Sequence, residues 1–370
     1  MRDLILVGGG HAHLLVLEAF ARHPLNGTRV TLVSDAPVAL YSGMLPGVVA
    51  GELAPAALEI DLAALAARAG ARLVACAATR VDPAMRRIEL AGGASLPYDV
   101  ASLDVGSTVA GLELPGVAAQ AVPTRPLARF LERLSQRLAS LAVDAAPLRC
   151  AVVGAGAGGV ELALALEARL ARESRPAEVT IVDRASRLLP ERAPRVGERL
   201  AALARARGLR LRLGAPVEGA EPGRLVLAGG EALPFDLLLW AAGAAPPRLL
   251  RDSPLPKDAR GFVRVTASLA VEGCPGLFAA GDSASLPGAG VAKSGVHAVR
   301  QGPLLARNLR AAVAGGALRS YRPQRDFLAI LNLGDGRALA TKWGLALSGA
   351  WVRRWKTRLD AGFVARFAAR

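Results

Sequence analysis

Apolar residues in this 370-residue chain follow two rhythms. Short unbroken runs stop abruptly at a glycine or a small polar or acidic residue. Ile5-Leu6-Val7 stops at Gly8, Val30-Thr31-Leu32-Val33 at Ser34-Asp35, and Cys150-Ala151-Val152-Val153 at Gly154. Val179-Thr180-Ile181-Val182 stops at Asp183, and Leu237-Leu238-Leu239-Trp240 runs to Gly243. Runs this short, with no polar alternation, predict strands buried on both faces, as in parallel sheets. Between them, apolar residues return every three or four positions over 14–22, 58–69, 126–141, 159–172, 195–207 and 294–314. That spacing predicts amphipathic helices. Strand and helix in alternation predict an α/β fold with parallel sheets.

The interruptions organise the rest. Residues 36–55 are punctuated by glycine and proline, too irregular for a helix and too apolar for an ordinary exposed loop. They predict either a lining for a flat ring system or a packed connector. Residues 73–78 and 87–90 predict a small sheet turning at Gly92-Gly93, and 98–107 a buried strand ending in Gly106-Ser107. Pro115-Gly116 and Val122-Pro123-Thr124 predict a crossover into a second unit. That unit adds a strand at 209–213 and a hairpin around Gly229-Gly230, and Pro246-Pro247 marks the return. Leu277 to Asp282 is a further buried strand ending in Gly281-Asp282.

Two of the strand-to-helix junctions carry chemistry. Gly8-Gly9-Gly10-His11-Ala12-His13 and Gly154-Ala155-Gly156-Ala157-Gly158-Gly159 both follow a strand and open a helix. Such a turn receives the pyrophosphate of a dinucleotide: one glycine for the tight bend, one for close approach, with the phosphates at the positive end of the helix. The first turn has His13 where the third glycine belongs. Two such turns in one chain imply two nucleotides, a flavin exchanging hydride with a nicotinamide. The expected fold is therefore two Rossmann-like dinucleotide-binding domains, the second inserted in the first: 1–120 and 251–318 for one, 121–250 for the other, and a C-terminal tail at 319–370; the family resemblance described below implies FAD on the first and NAD(P)H on the second.

Composition narrows the alternatives. Lys and Arg exceed Asp and Glu by 46 − 31 = 15. The arginines are dispersed, with no compact basic block interleaved with aromatics, so nucleic acid is not an expected partner. Solvated helix faces and a general attraction to anionic surfaces both remain open. Cys76, Cys150 and Cys274 are far apart, so no metal site and no local redox pair is expected. The N-terminus lacks a leader pattern, and apolar runs break well short of the ~20 residues a membrane helix needs. A cytoplasmic location is expected, with peripheral attachment to the cytoplasmic face of the membrane left open.

With the two turns, 236–243 and 277–282 in this order, the chain resembles the pyridine nucleotide-disulfide oxidoreductase superfamily over about residues 3–315. More narrowly, the segments 8–13, 41–47, 103–107 and 299–303 are similar to one flavoprotein type. It occurs alone or fused to the N-terminus of selenophosphate synthetase (selenide, water dikinase) and is related to type II NADH dehydrogenases. The disulfide relay of the superfamily needs Cys-x-x-x-x-Cys near residue 40, and Tyr41 to Gly47 contains no cysteine. The missing pair also disfavours a sulfide:quinone oxidoreductase.

The resemblance implies FAD held by Gly8, Gly9, Gly10, His11, Ala12, Ser34 or Asp35, Tyr41, Ser42, Gly106, Gly281, Asp282 and Lys293. Lys293 to His297 would open a helix pointing at the flavin pyrimidine edge. It implies NADH on Gly154, Gly156, Gly159, Asp183 and Gly243, with NADPH open because Arg184 and Arg187 follow Asp183. Catalytic candidates are Glu161, beside the nicotinamide, then Lys293 and His297. The implied activity is an FAD-dependent NAD(P)H dehydrogenase passing electrons to a small acceptor, a quinone favoured. The alternative is a flavin-binding accessory module of selenium metabolism with little turnover. In the tail, Trp351, Trp355, Leu359, Phe363 and Phe367 recur every fourth residue, with Arg353, Arg354, Thr357, Arg358 and Asp360 opposite. A basic amphipathic helix of this kind predicts a peripheral membrane contact, a helix folded back on the flavin domain, or a homodimer contact.

Overall fold

Two five-stranded parallel sheets form the frame of the computed structural model, which describes residues 1–141, 146–288, 292–324 and 326–368. The predicted tail thus extends two residues, 369–370, beyond the described ones. The first sheet runs Leu277–Ala279, Val100–Leu103, Arg2–Val7, Thr28–Ser34, Ala71–Ala75, every neighbouring pair parallel. The second runs Val122–Pro123, Leu237–Trp240, Leu148–Val153, Ala177–Asp183, Arg210–Leu213, again all parallel. The central strands are buried on both faces, which is why they read as continuous apolar runs.

Each sheet carries a three-stranded antiparallel meander: Ala78–Asp82, Arg87–Leu90, Ser95–Pro97 in one, Val217–Glu221, Arg224–Leu227, Ala232–Pro234 in the other. In both meanders the first strand slips register once against the second. The internal repeat therefore reaches below the level of element order. The edges differ. The outer strand of the first sheet comes from late in the chain, that of the second from the crossover at Val122–Pro123. The two crossovers pair with each other, Thr108–Val109 against Ala244–Ala245.

Several local expectations are corrected. Residues 36–55 contain regular structure: Val38–Leu40 pairs with Glu59–Asp61, and Leu45–Val49 is a short helix with proline near its start. Leu45, Val48, Val49 and Ala50 pack into the core of the second sheet's unit. The helix expected over 58–69 begins only at Leu62, because the Asp61 carboxylate caps the Ala64 amide at 2.9 Å. Ala71–Ala75 belongs to the main sheet and not to the small one.

The tail is a packed unit. Ala329–Asn332, Ala338–Lys342 and Leu345–Gly349 form an antiparallel sheet, followed by the helix Ala350–Ala365. Leu331, Leu333 and Leu339 join the core beneath the second sheet, while Phe367 joins that of the first. Dispersed arginines tie the units together by donating to loop carbonyls. Arg172 reaches Ala50 and Gly334, Arg207 reaches Leu333 and Leu164, and Arg68 reaches Phe367 and Ala368. Much of the basic excess therefore has a structural use.

Candidate active site

Both glycine turns bend where a side chain has no room. Gly8 has φ +94° and Gly154 φ +131°, values L-residues rarely adopt. The Gly8 amide donates to Val33 O at 2.8 Å and the Gly154 amide to Val182 O at 2.9 Å. Each turn is thus stitched to the next strand of its sheet. Helices then start at His11 and Ala157.

Beyond that point the turns differ. In the second, Gly156 and Gly158 face open space, and a Cβ on Gly159 would collide with the Gly154 carbonyl oxygen. The close helix–strand contact needs that glycine. In the first, His13 stands at the same place, fully buried, its Nδ1 2.7 Å from Gly8 O and its Nε2 2.8 Å from Ser102 Oγ. At Gly10 the Asp104 carboxyl fills the space where a Cβ would lie, so this position too admits only glycine. Asp104 Oδ2 accepts from the Ala12 amide at 2.8 Å and the His13 amide at 3.0 Å. Burial pushes this carboxyl up to about 7, against the pull of the two amides, with Asp282 adding to the push. Burial likewise lowers His11 and His13 to about 4, so both imidazoles are neutral at pH 7.

Six segments converge in front of the first turn. The His11 ring meets Tyr41 and Phe363 edge-on, with centroids at 5.5 and 5.9 Å, and Tyr41 stacks on Phe363 at 4.6 Å. His11 Nε2 is buried without a hydrogen-bond partner among the described residues. Asp282 accepts from Ser107 Oγ at 2.7 Å and from Arg125 at 2.6 Å. The helix Gly295–Ala314 begins nearby, capped by Ser294.

On the far side, Glu161 of the second turn's helix accepts from the Asn332 amide of the tail sheet at 2.7 Å. Burial raises its carboxyl to about 7, although Lys356 pulls it down. Lys356 donates to Gly43 O at 2.8 Å and to Asp360 at 2.9 Å, and the Tyr41 hydroxyl donates to Asp360 at 3.1 Å. One side of the tail helix therefore bridges the starts of both dinucleotide helices.

With this geometry in place, the comparisons with known proteins decide the lineage. A family model described as pyridine nucleotide-disulphide oxidoreductase matches residues 2–302. The chain belongs to that family. It is 34% identical over 307 residues to an NADH dehydrogenase-like protein of Mycobacterium tuberculosis, covering 77% of this chain and 73% of that one. It is 27% identical over 362 residues to the demethylphylloquinone reductase NdbB of Synechocystis, covering 94% and 88%. Among solved structures, NDH2 of Plasmodium falciparum in complex with NADH superposes with a TM-score of 0.81 at 14% identity, covering 99% of this chain and 97% of that one. The sulfide:quinone oxidoreductase of Aquifex aeolicus does so with 0.81 at 16%, covering 99% and 91%. At such identities these two show the fold alone, a pair of Rossmann-like α/β units.

The structure sorts the residues singled out in the sequence. Gly8 to Ala12, Tyr41, Ser42, Gly281 and Asp282 gather around the first turn, and Gly154, Gly156, Gly159 and Asp183 around the second. Asp183 bends over its own turn, accepting from the Ala155 and Ala185 amides at 2.7 Å each. Ser34 is buried and bonded to the Ala36 backbone at 2.8 Å, whereas Asp35 is exposed. Gly106 and Gly281 take positive φ at the ends of neighbouring strands, and Gly243 lies open at the tip of its own.

The other two catalytic candidates lie around the start of the helix Gly295–Ala314. Lys293 Nζ donates to Ala284 O at 2.6 Å and lies 3.9 Å from the centre of the Phe262 ring. His297 is buried, its Nδ1 3.4 Å from the Tyr321 hydroxyl and its ring edge-on to Phe327. Sequence reasoning missed Asp104, Arg125, Lys356 and, as a buried group, Asp360. The sequence pattern puts Asp360 opposite the aromatic stripe, and the structure buries it there. The only signal for Lys356 and Asp360 was their own four-residue spacing on a helix.

Proposed function

We propose that the chain is an FAD-dependent NADH dehydrogenase, with FAD on the first turn and NADH on the second, passing electrons to a quinone. The observation that carries this is the bridge between the two helix starts. His11 meets Phe363 and Tyr41, while Glu161 lies in the field of Lys356 on the same helix. Bound flavin supplies hydride acceptance from the nicotinamide and onward electron transfer. The protein supplies the setting. Gly156 and Gly158 leave the second turn's backbone open to a pyrophosphate. Asp183 stands at the strand tip where an adenosine ribose is held. Arg187 is committed to the carbonyls of Leu189, Pro190 and Arg192, which favours NADH over NADPH.

On the flavin side, Asp282 would hold the ribityl chain, and the N-terminal end of the helix at Gly295 would favour negative charge on the ring. The unpartnered His11 Nε2 fits a polar ligand in this seat. Glu161 holds a proton near neutrality and is placed to deliver it as the acceptor is reduced.

A quinone fits the apolar wall of Tyr41 and Phe363 and the outer surface of the tail. Trp351, Trp355 and Leu359 are exposed and continue onto Trp343, Leu345 and Leu347, from 38% exposed at Trp355 to 70% at Trp343. Arg354 and Arg358 lie exposed on the same helix. Among the described residues no helix is long and apolar enough to cross a membrane. An apolar patch rimmed by arginines suits peripheral attachment to an anionic bilayer, which would bring the site to its quinone.

Anaerobic stopped-flow mixing of the yellow protein with NADH tests the reading. Rapid bleaching of the flavin followed by reoxidation with a quinone is expected. A flavin that stays oxidised would support the accessory role instead. Co-sedimentation with anionic vesicles, lost in Trp351→Ser/Trp355→Ser, tests the attachment.

A further inference from the structure

In the second turn the third glycine allows helix and strand to touch. The first turn reaches a similar shape by other means. His13 straps its imidazole between Gly8 and Ser102, and the Asp104 carboxyl is enclosed by Gly10 and by Gly281, whose Cβ would lie 2.6 Å from Oδ1. Asp104 Oδ2 already occupies two amides at the helix start, groups that an incoming phosphate would otherwise find. A pyrophosphate seated here meets a second acid at the same pole of the helix. Two anions sharing one poorly solvated pole repel strongly. At 2% exposure, between glycine backbone and a buried histidine, the carboxyl has no route to water.

We propose that Asp104 is a positioning residue of the flavin seat, completing with His13 the contact a third glycine would make, and that it takes up one proton when FAD binds. The proposal rests on the reading that the first turn holds FAD. A neutral carboxyl keeps Oδ2 as the acceptor of both amides while Oδ1 carries the proton. The turn keeps its geometry and loses the charge. The groups facing this pocket are His11 and His13 from the helix, Asp282 from the 281–283 turn, and Arg125 from the crossover. The helix Gly295–Ala314 offers Ala298 and Gln301, the latter accepting from the Gly281 amide at 2.6 Å. Both histidines sit near 4, below the relevant window, and Lys293, lowered to about 8 by burial, lies just before that helix. Asp104 itself sits near 7 before any ligand arrives.

Calorimetric titration of FAD into the flavin-free full chain, at pH 6 to 8 and in two buffers of different ionisation enthalpy, counts the protons directly. Uptake should be small at pH 6 and approach one at pH 8, with the FAD Kd rising toward ~10-fold per pH unit above 7. Asp104→Asn, which keeps an acceptor for the amides, should bind FAD at pH 8 at least as tightly as wild type, with no uptake. FAD binding at pH 8 without proton uptake overturns the proposal. So does undiminished uptake in Asp104→Asn, which would assign the proton to His11 or Lys293. If that variant does not fold, the two-buffer measurement on the unaltered chain decides alone. A folded chain that binds no FAD at any pH would remove the FAD reading and the proposal together.

Discussion

Lys356→Met tests how the tail helix is held against the two turns. Lys356 and Asp360 are 8% and 7% exposed, and the ammonium makes two bonds, to Asp360 at 2.9 Å and to Gly43 O at 2.8 Å. Removing it leaves a buried carboxylate supported, among the described residues, only by the Tyr41 hydroxyl at 3.1 Å, and takes from Gly43 O the Lys356 donor. Breaking a buried pair from one side costs about 3–5 kcal/mol. The two main units keep their own cores, so the loss falls on tail docking, and the undocked population should rise roughly a hundredfold or more. Hydrogen exchange across Ala350–Ala365 reads that population directly. Lys356→Met/Asp360→Asn keeps an acceptor for Tyr41 without the charge. It should recover most of the protection, leaving about 1 kcal/mol for the lost Gly43 bond. Wild-type protection in Lys356→Met, or a double variant no better than the single, would refute the view that this pair clamps the tail.

Three further outcomes follow from the geometry. Gly156→Val places its side chain in open space, so the melting temperature should hold while NADH no longer reduces the flavin. Gly159→Ala collides with the Gly154 carbonyl and should cost about 1–3 kcal/mol of stability by denaturant titration. Reduction by NADH retained in Gly156→Val would make the second turn purely structural. Glu161 is raised from 4.5 to about 7, so the folded state holds its proton longer than the unfolded chain does. Its contribution is present below ~4.5 and is lost as pH rises to about 7, at up to ~1.4 kcal/mol per unit. Glu161→Gln, which still accepts from the Asn332 amide, should lessen the fall in denaturation midpoint between pH 5 and 7. An unchanged fall would place the titration elsewhere.

The parallel sheets and both turns were legible because their determinants are local. A positive φ at Gly8 and Gly154 admits essentially one residue type, and strands buried on both faces leave unbroken apolar runs. Short-range polar competition was harder to read. The capped start at Asp61 and the five-residue helix Leu45–Val49 lie in stretches where proline and glycine mask the periodicity. Asp104 could not be placed by periodicity at all. It lies 91 residues from His13 in sequence, and only the sheet brings its carboxyl under the helix. One clue was present: an acid closing the apolar run at 100–103 in a chain whose first turn also lacks its third glycine. Each departure alone is neutral; together they are complementary.

The tail shows why a correct periodicity can still assign the wrong faces. Residues four apart on a helix drift by about 40° per step around the axis, so the stripe from Trp351 to Phe363 wraps around it, and Phe367 lies past the helix end at Ala365. Trp351, Trp355 and Leu359 end up facing solvent, while Phe363 and Phe367 reach the first unit's core. Val352, Lys356 and Asp360 form the inner face, two of the three charged, because the partners waiting there are polar: Gly43 O, the Tyr41 hydroxyl and the field of Glu161. A hydrophobicity rule ranks Lys356 and Asp360 as solvent-facing, but pairing makes their burial tolerable. Folding back and surface attachment are therefore compatible in one helix, since the residues that serve them do not overlap.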